Sequence, residues 1–169
     1  MTTTQILKKT SLFKALSDDQ LKAVVRLSWE KSFQQGEEIF KHGQEAKKLY
    51  VLVSGSVSLR IDAPEELDLM AETLQETGDV FGMAALTKSH IYNVTAHCTK
   101  RATALSLDSA RLQEIIRWQP VYGLEVMAEL ALLYMNRLNN MRMAVTNLFR
   151  IFKSETHKAE IFDIYGELG

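Results

Sequence analysis

The chain has 169 residues, which suits one domain with an appendage. Hydrophobic residues make up 46% and the net charge is −1, so core material is ample and no basic excess points to nucleic acid. The single cysteine, Cys98, excludes an internal disulfide and a multi-cysteine zinc site within the chain.

The opening stretch, "MTTTQILKKTSLF", has no apolar run of signal-peptide length, and no segment approaches ~20 continuous apolar residues. The expectation is a cytoplasmic protein with no membrane span. The first zone is a short helix in "SDDQLKAVVRL", where Ser17 and Gln20 have capping-box spacing and Leu21, Val24, Val25 and Ser28 share a face. From about Trp29 to Leu107 the period changes to that of strands. "KKLYVLVSGSVSLRID" reads as two strands split at a Ser-Gly-Ser turn on Gly55. In its second half Val57, Leu59 and Ile61 alternate with Ser56, Ser58 and Arg60, the pattern of a strand with one solvated face. Further short strands are expected over residues 30–33, 38–40, 68–74, 93–98 and 102–107, punctuated by Gly36, Gly43, Gly55, Gly78 and Gly82. Many short strands with regular turns predict a sandwich or barrel.

The third zone returns to helix. Asp108 or Ser109 can cap "ARLQEIIRW", and Pro120 suits the first position of a second, much longer helix running to about Lys153. The chain therefore divides into residues 1–119, a long helix over 120–153 and a tail over 154–169. Within the long helix Leu124, Ala131, Leu138, Val145 and Phe152 recur every seventh residue. Met127, Tyr134, Met141 and Leu148 fall three residues after the first four, giving the a and d positions of a coiled-coil seam. The predicted dimer interface is Leu124, Met127, Ala131, Tyr134, Leu138, Met141, Val145 and Leu148. The competing reading is a core stripe packed on the same subunit. Ala128, Met135 and Phe149 at e, with Leu130 and Ile151 at g, widen the stripe enough for one flank to cover the strands. Burying the larger of these side chains stabilises by roughly 1.5–3 kcal/mol each.

Three stretches together carry a resemblance. "LFKALSDDQL" supplies an opening helix, "FQQGEEIFKHGQEAKKLYVLVSGSVSL" a series of glycine-marked strands, and "GDVFGMAAL" the start of a cassette. In this order and spacing they resemble the cyclic nucleotide-binding domain family, the regulatory module of catabolite-activator-type transcription factors, cAMP-dependent kinase regulatory subunits and gated channels. The resemblance implies a mainly β domain with flanking helices, a double-stranded β-helix or jelly-roll, followed by a long C-terminal dimerisation helix. It also implies a phosphate-binding cassette whose short helix caps a cyclic phosphate with backbone N–H groups. The ligand-binding residues it implies here are Phe81, Gly82, Met83, Ala84, Ala85, Leu86, Tyr92, Asn93, Val94 and Thr95.

The cassette departs from the family pattern twice. Met83 stands where the family has a Glu for the ribose, and Tyr92, or Asn93 if the loop is one residue longer, stands where it has an Arg for the phosphate. None of these side chains supplies a charge at neutral pH. Lys88, Arg60 and Arg101 are the nearby cations, and each reads better as solvent-facing. The expected function is a ligand-sensing regulatory domain, a homodimer acting through a partner protein, in which cAMP binding is weak, altered or absent. A cyclic nucleotide or another small ligand is the cofactor in view. One alternative is a structural or interaction dimer with an empty pocket. Another is a haem or other small-molecule sensor using His42, His90, His97 or Met83. Catalysis is not expected, because no H-x-H, H-E-x-x-H or nucleophile–base signature occurs. Nor is a resident metal, or direct DNA binding: only "SETHKAEIFDIYGELG" follows Lys153, too short for a helix-turn-helix domain.

Overall fold

Two capping boxes open the N-terminal helices. Thr2 and Gln5 bond reciprocally at the start of α1 (Thr3–Lys9), and Ser17 and Gln20 do the same for α2 (Asp18–Val25), as the sequence predicts for the latter. A 3-10 turn, Ser11–Phe13, joins them and buries Leu12 and Phe13. The computed structural model describes residues 1–61 and 70–166, and the side chains of 1–61, 72–150, 152 and 153 among them. It divides into two compact units, Met1–Ala131 and Leu132–Gly169.

Among the described residues of the first unit, six strands form one antiparallel sheet: β1 (Ser28–Phe33), β2 (Glu38–Phe40), β3 (Lys48–Arg60), β4 (Met70–Leu74), β5 (Val80–Phe81) and β6 (Thr95–Asp108). The order is β1-β6-β3-β4, with β2 also on β6 and β5 also on β3. The expected strand over 68–74 appears as β4; Asp68 and Leu69 lie outside the described residues.

The expected break at Gly55 is a bend, not a turn. β3 runs through it and pairs with β6 from Lys48↔Asp108 to Arg60↔Thr95. The register slips between Leu52 and Ser54, Ser54 and Ser56, and Ser56 and Val57. Such bulges let a strand curve while its ladder continues. Gly55 adopts φ +97°, and a Cβ there would lie 2.2 Å from the Arg101 carbonyl oxygen. For the same reason the two strands expected over 93–98 and 102–107 are one, β6, bending with its partner. Ser56 and Ser58 are a further correction: the polar face of β3 is covered, and they are 2% and 0% exposed. Ser56 Oγ accepts a hydrogen bond from Thr99 at 2.7 Å.

The sheet encloses a core of Phe33, Phe40, Tyr50, Leu52, Val57, Leu59, Leu74, Phe81 and Tyr92, with small residues from β6. Asp108 caps α3 (Ser109–Trp118) by accepting from the Arg111 N–H. Pro120 begins α4 (Pro120–Gly166), which continues past the expected stop near Lys153. No proline or glycine lies between Gly123 and Gly166 to end it. The side chains of Ile161, Phe162, Ile164 and Tyr165 in the tail lie outside the described residues. Gly123 sits against α3: a Cβ there would come within 2.9 Å of the Ile116 carbonyl oxygen and side chain. Tyr122, Val126 and Leu130, four residues apart, are the buried face of the first turns of α4. Lys14 pairs with Glu129 at 2.8 Å on the same stretch.

Candidate ligand compartment of the β-roll

The cassette begins where β5 ends. Gly82 takes the left-handed conformation, φ +72°, and turns the chain from Phe81 into a 3-10 helix, Met83–Leu86. A Cβ on Gly82 would lie 2.9 Å from the Lys48 carbonyl oxygen, 3.2 Å from Tyr50 and 3.3 Å from Tyr92, so only glycine lets the backbone come this close. The side chains of Phe81, Met83, Ala84, Ala85 and Leu86 are all buried. Thr87 closes the helix by donating from Oγ1 to the Ala84 carbonyl at 2.8 Å. From outside, Gln113 of α3 donates from Nε2 to the Ala85 carbonyl at 3.0 Å, tying α3 to the cassette.

Of the two residues that loop length leaves open, the Tyr92 side chain is buried, 5% exposed, and Asn93 is exposed. The Tyr92 ring stacks on Phe40 with centroids 3.8 Å apart and planes 14° apart. Tyr50 and Phe81, stacked on each other at 5.1 Å, stand behind. The Tyr92 hydroxyl donates to the Lys48 carbonyl at 2.7 Å and accepts from the Lys48 N–H at 3.2 Å. The backbone is pinned as well. The Gly43 N–H donates to the Tyr92 carbonyl at 2.8 Å, and the Tyr92 N–H to the Gln44 carbonyl at 2.9 Å. Burial pushes the phenol well above its ordinary pKa, so it stays neutral and keeps its proton for Lys48.

The model of the cyclic nucleotide-binding domain matches residues 30–118, more than half of the chain. A solved protein of Geobacter metallireducens, named as cyclic nucleotide-binding, is 30% identical, with 82% of this chain and 99% of that one covered and a TM-score of 0.71. This chain belongs to the cyclic nucleotide-binding domain family. The catabolite activator protein of Thermus thermophilus shares the fold, with a TM-score of 0.66 at 23% identity over 82% of this chain and 63% of that one. A protein of Rhodopseudomonas palustris named as a potassium channel is 27% identical over 112 residues, which are 66% of this chain and 26% of that protein. The chain thus spans about a quarter of the length of this curated relative.

Within the family's jelly-roll, Phe81, Ala84, Ala85 and Tyr92 come together in one aromatic core. Val94 packs against that core, and Thr95 turns its Oγ1 to the His42 N–H at 3.0 Å. Lys88 and Arg101 are exposed and Arg60 is half-buried. Of the histidines considered as haem ligands, His42 and His90 are exposed and His97 is half-buried, while Met83 is buried. Among the described residues, no three His, Cys, Asp or Glu side chains gather as a metal site.

The sequence reading missed Phe40, Lys48 and Gln113. Phe40 carried a signal in its aromatic character on a short strand. Lys48 contributes only its backbone, which no side chain announces. Gln113 follows buried Leu112 on α3, and nothing local marks its reach to Ala85.

Proposed function

We propose that this chain is a regulatory domain whose nucleotide compartment is closed by its own Tyr92, so that it does not hold cAMP in the family's usual manner. The observation that carries this reading is the Tyr92 phenol, stacked on Phe40 and bonded twice to Lys48 at one of the two positions where the resemblance places the phosphate-binding Arg. Met83, where the resemblance places the ribose-binding Glu, is buried and uncharged. Each hydrogen bond to a charged group contributes about 1.5–3 kcal/mol, so losing both lowers affinity by roughly two to four powers of ten. A nucleotide must also displace Tyr92. Calorimetric titration of the whole chain with cAMP and cGMP is expected to give no saturation below about 1 mM. A micromolar Kd for either overturns the reading.

The regulatory output passes through a homodimer and a partner protein rather than DNA, for which a net charge of −1 offers no electrostatic footprint. The dimer forms along α4. Leu124 is 71% exposed, Met127, Ala131, Leu138, Val145 and Leu148 are exposed, and Tyr134 and Met141 are half-buried. A single chain thus leaves an apolar strip of the kind soluble proteins cover. Leu138→Asp is expected to sediment as a monomer while the native chain sediments as a dimer; a native monomer at micromolar concentration defeats the seam. Truncation to test it belongs after Ala131, because Tyr122, Val126 and Leu130 are core residues.

A further inference from the structure

Resting on the reading that Tyr92 occupies the compartment, its side chain reports what chemistry the compartment recognises. One face of the space is the Phe40 ring, 3.8 Å from Tyr92 and nearly parallel to it. Tyr50 and Phe81 extend the aromatic wall, with centroids 5.9 Å and 6.1 Å from Phe40. Gly82 lets the edge of the Tyr92 ring come within 3.3 Å of the place a Cβ would take. At the far end a single residue, Lys48, presents both a donor and an acceptor from its backbone, and one hydroxyl satisfies both. The hydrophobic residues buried around this space are aromatic, aliphatic or small. A flat ring is held by stacking and a hydroxyl is read at its edge.

We infer that the compartment is a binding site for a small, uncharged hydroxyaromatic compound, a phenol, which competes with the Tyr92 side chain for the same space. The segment carrying Tyr92 is built to let this happen. Lys88, Ser89, His90 and Ile91 are exposed, so the stretch before the plug is not packed into the core. His90 is held at φ +46°, the left-handed region that a non-glycine residue adopts at a cost. The frame beneath the plug is separately secured by backbone hydrogen bonds: Ala46 N–H to the His90 carbonyl at 2.7 Å, and the Gly43 and Gln44 bonds to Tyr92. A free phenol therefore replaces one side chain without dismantling the turn that carries it. Binding of this kind links occupancy to the position of Tyr92, and through the cassette to Gln113 and α3.

The test uses phenol and benzene on the full chain. Tyr92→Ala retains the Cβ and removes just the atoms that phenol supplies. By calorimetry or ligand-detected NMR, Tyr92→Ala is expected to bind phenol at least about tenfold more tightly than the native chain does, because the competing side chain is gone. It should also bind phenol about tenfold more tightly than benzene, because only phenol satisfies both Lys48 groups. In the native chain, saturating phenol is expected to shift the Tyr92 and Phe40 ring resonances. A folded Tyr92→Ala chain that ignores phenol, or that takes benzene equally well, overturns the inference. If Tyr92→Ala does not fold alone, phenol must restore its folding and the native resonances must shift; failure of either overturns it equally. Tight cAMP binding by the native chain would instead defeat the underlying reading, and the nucleotide titration detects that separately.

Discussion

The Tyr92 hydroxyl and the Lys48 backbone satisfy each other completely: one donated bond of 2.7 Å to the carbonyl, one accepted bond of 3.2 Å from the N–H. Tyr92→Phe keeps the stack on Phe40 and removes only this exchange, leaving two part-buried backbone groups without it. The expected loss is about 1–3 kcal/mol of folding stability, measured by urea denaturation with an unchanged m-value. A neutral result would show that water reaches Lys48 and that the phenol is not a latch.

Gln113 holds the other end of the cassette through the Ala85 carbonyl, 3.0 Å away. Gln113→Ala is expected to cost about 1 kcal/mol. Combined with Tyr92→Phe it should show a coupling of at least about 0.5 kcal/mol, because both contacts brace one short helix. Strict additivity in the double-mutant cycle would mean the two ends respond independently.

Gly55 tolerates no side chain. Its φ of +97° disfavours one, and a Cβ would strike the Arg101 carbonyl oxygen at 2.2 Å and the Ala102 Cα at 2.5 Å. Gly55→Ala is expected to destabilise by about 3 kcal/mol or more, combining backbone and overpacking penalties. Gly36, with nothing within 4 Å of its Cβ direction, serves as the control. Gly36→Ala meets only the conformational penalty, so a comparable loss there would remove overpacking as the cause at Gly55.

Burial, with a smaller contribution from Glu37, pushes the Cys98 thiol from 9.0 up to about 11. The folded state thus keeps its proton where the unfolded chain has lost it. Stability from this group is complete below about pH 9 and is lost as pH rises toward about 11. Tyr50, Tyr92 and Tyr122 are raised by burial too and act in the same direction at higher pH. Denaturation midpoints followed from pH 8 to 11 should fall, and Cys98→Ala should flatten the part of the slope that begins near pH 9. An identical slope in both chains would show that Cys98 contributes nothing to it.

The sequence by itself determined what is local. Capping spacing placed the start of α2, and the return from strand to helical period placed α3 and α4. These features depend on neighbours a few residues away, which the order of residues displays directly. Tertiary structure alone decided the rest. Whether Tyr92 or Asn93 turns inward depends on loop register, and a slip of one residue exchanges the two faces. Ser56 and Ser58 look solvent-facing by alternation yet are buried, because alternation cannot show that both faces of a strand are covered. Gly55 reads as a turn until the β3–β6 pairing, made between residues far apart in the chain, carries the strand through it. The seating of the Tyr92 hydroxyl is of this second kind: it rests on the backbone of Lys48, whose part in it no side chain records.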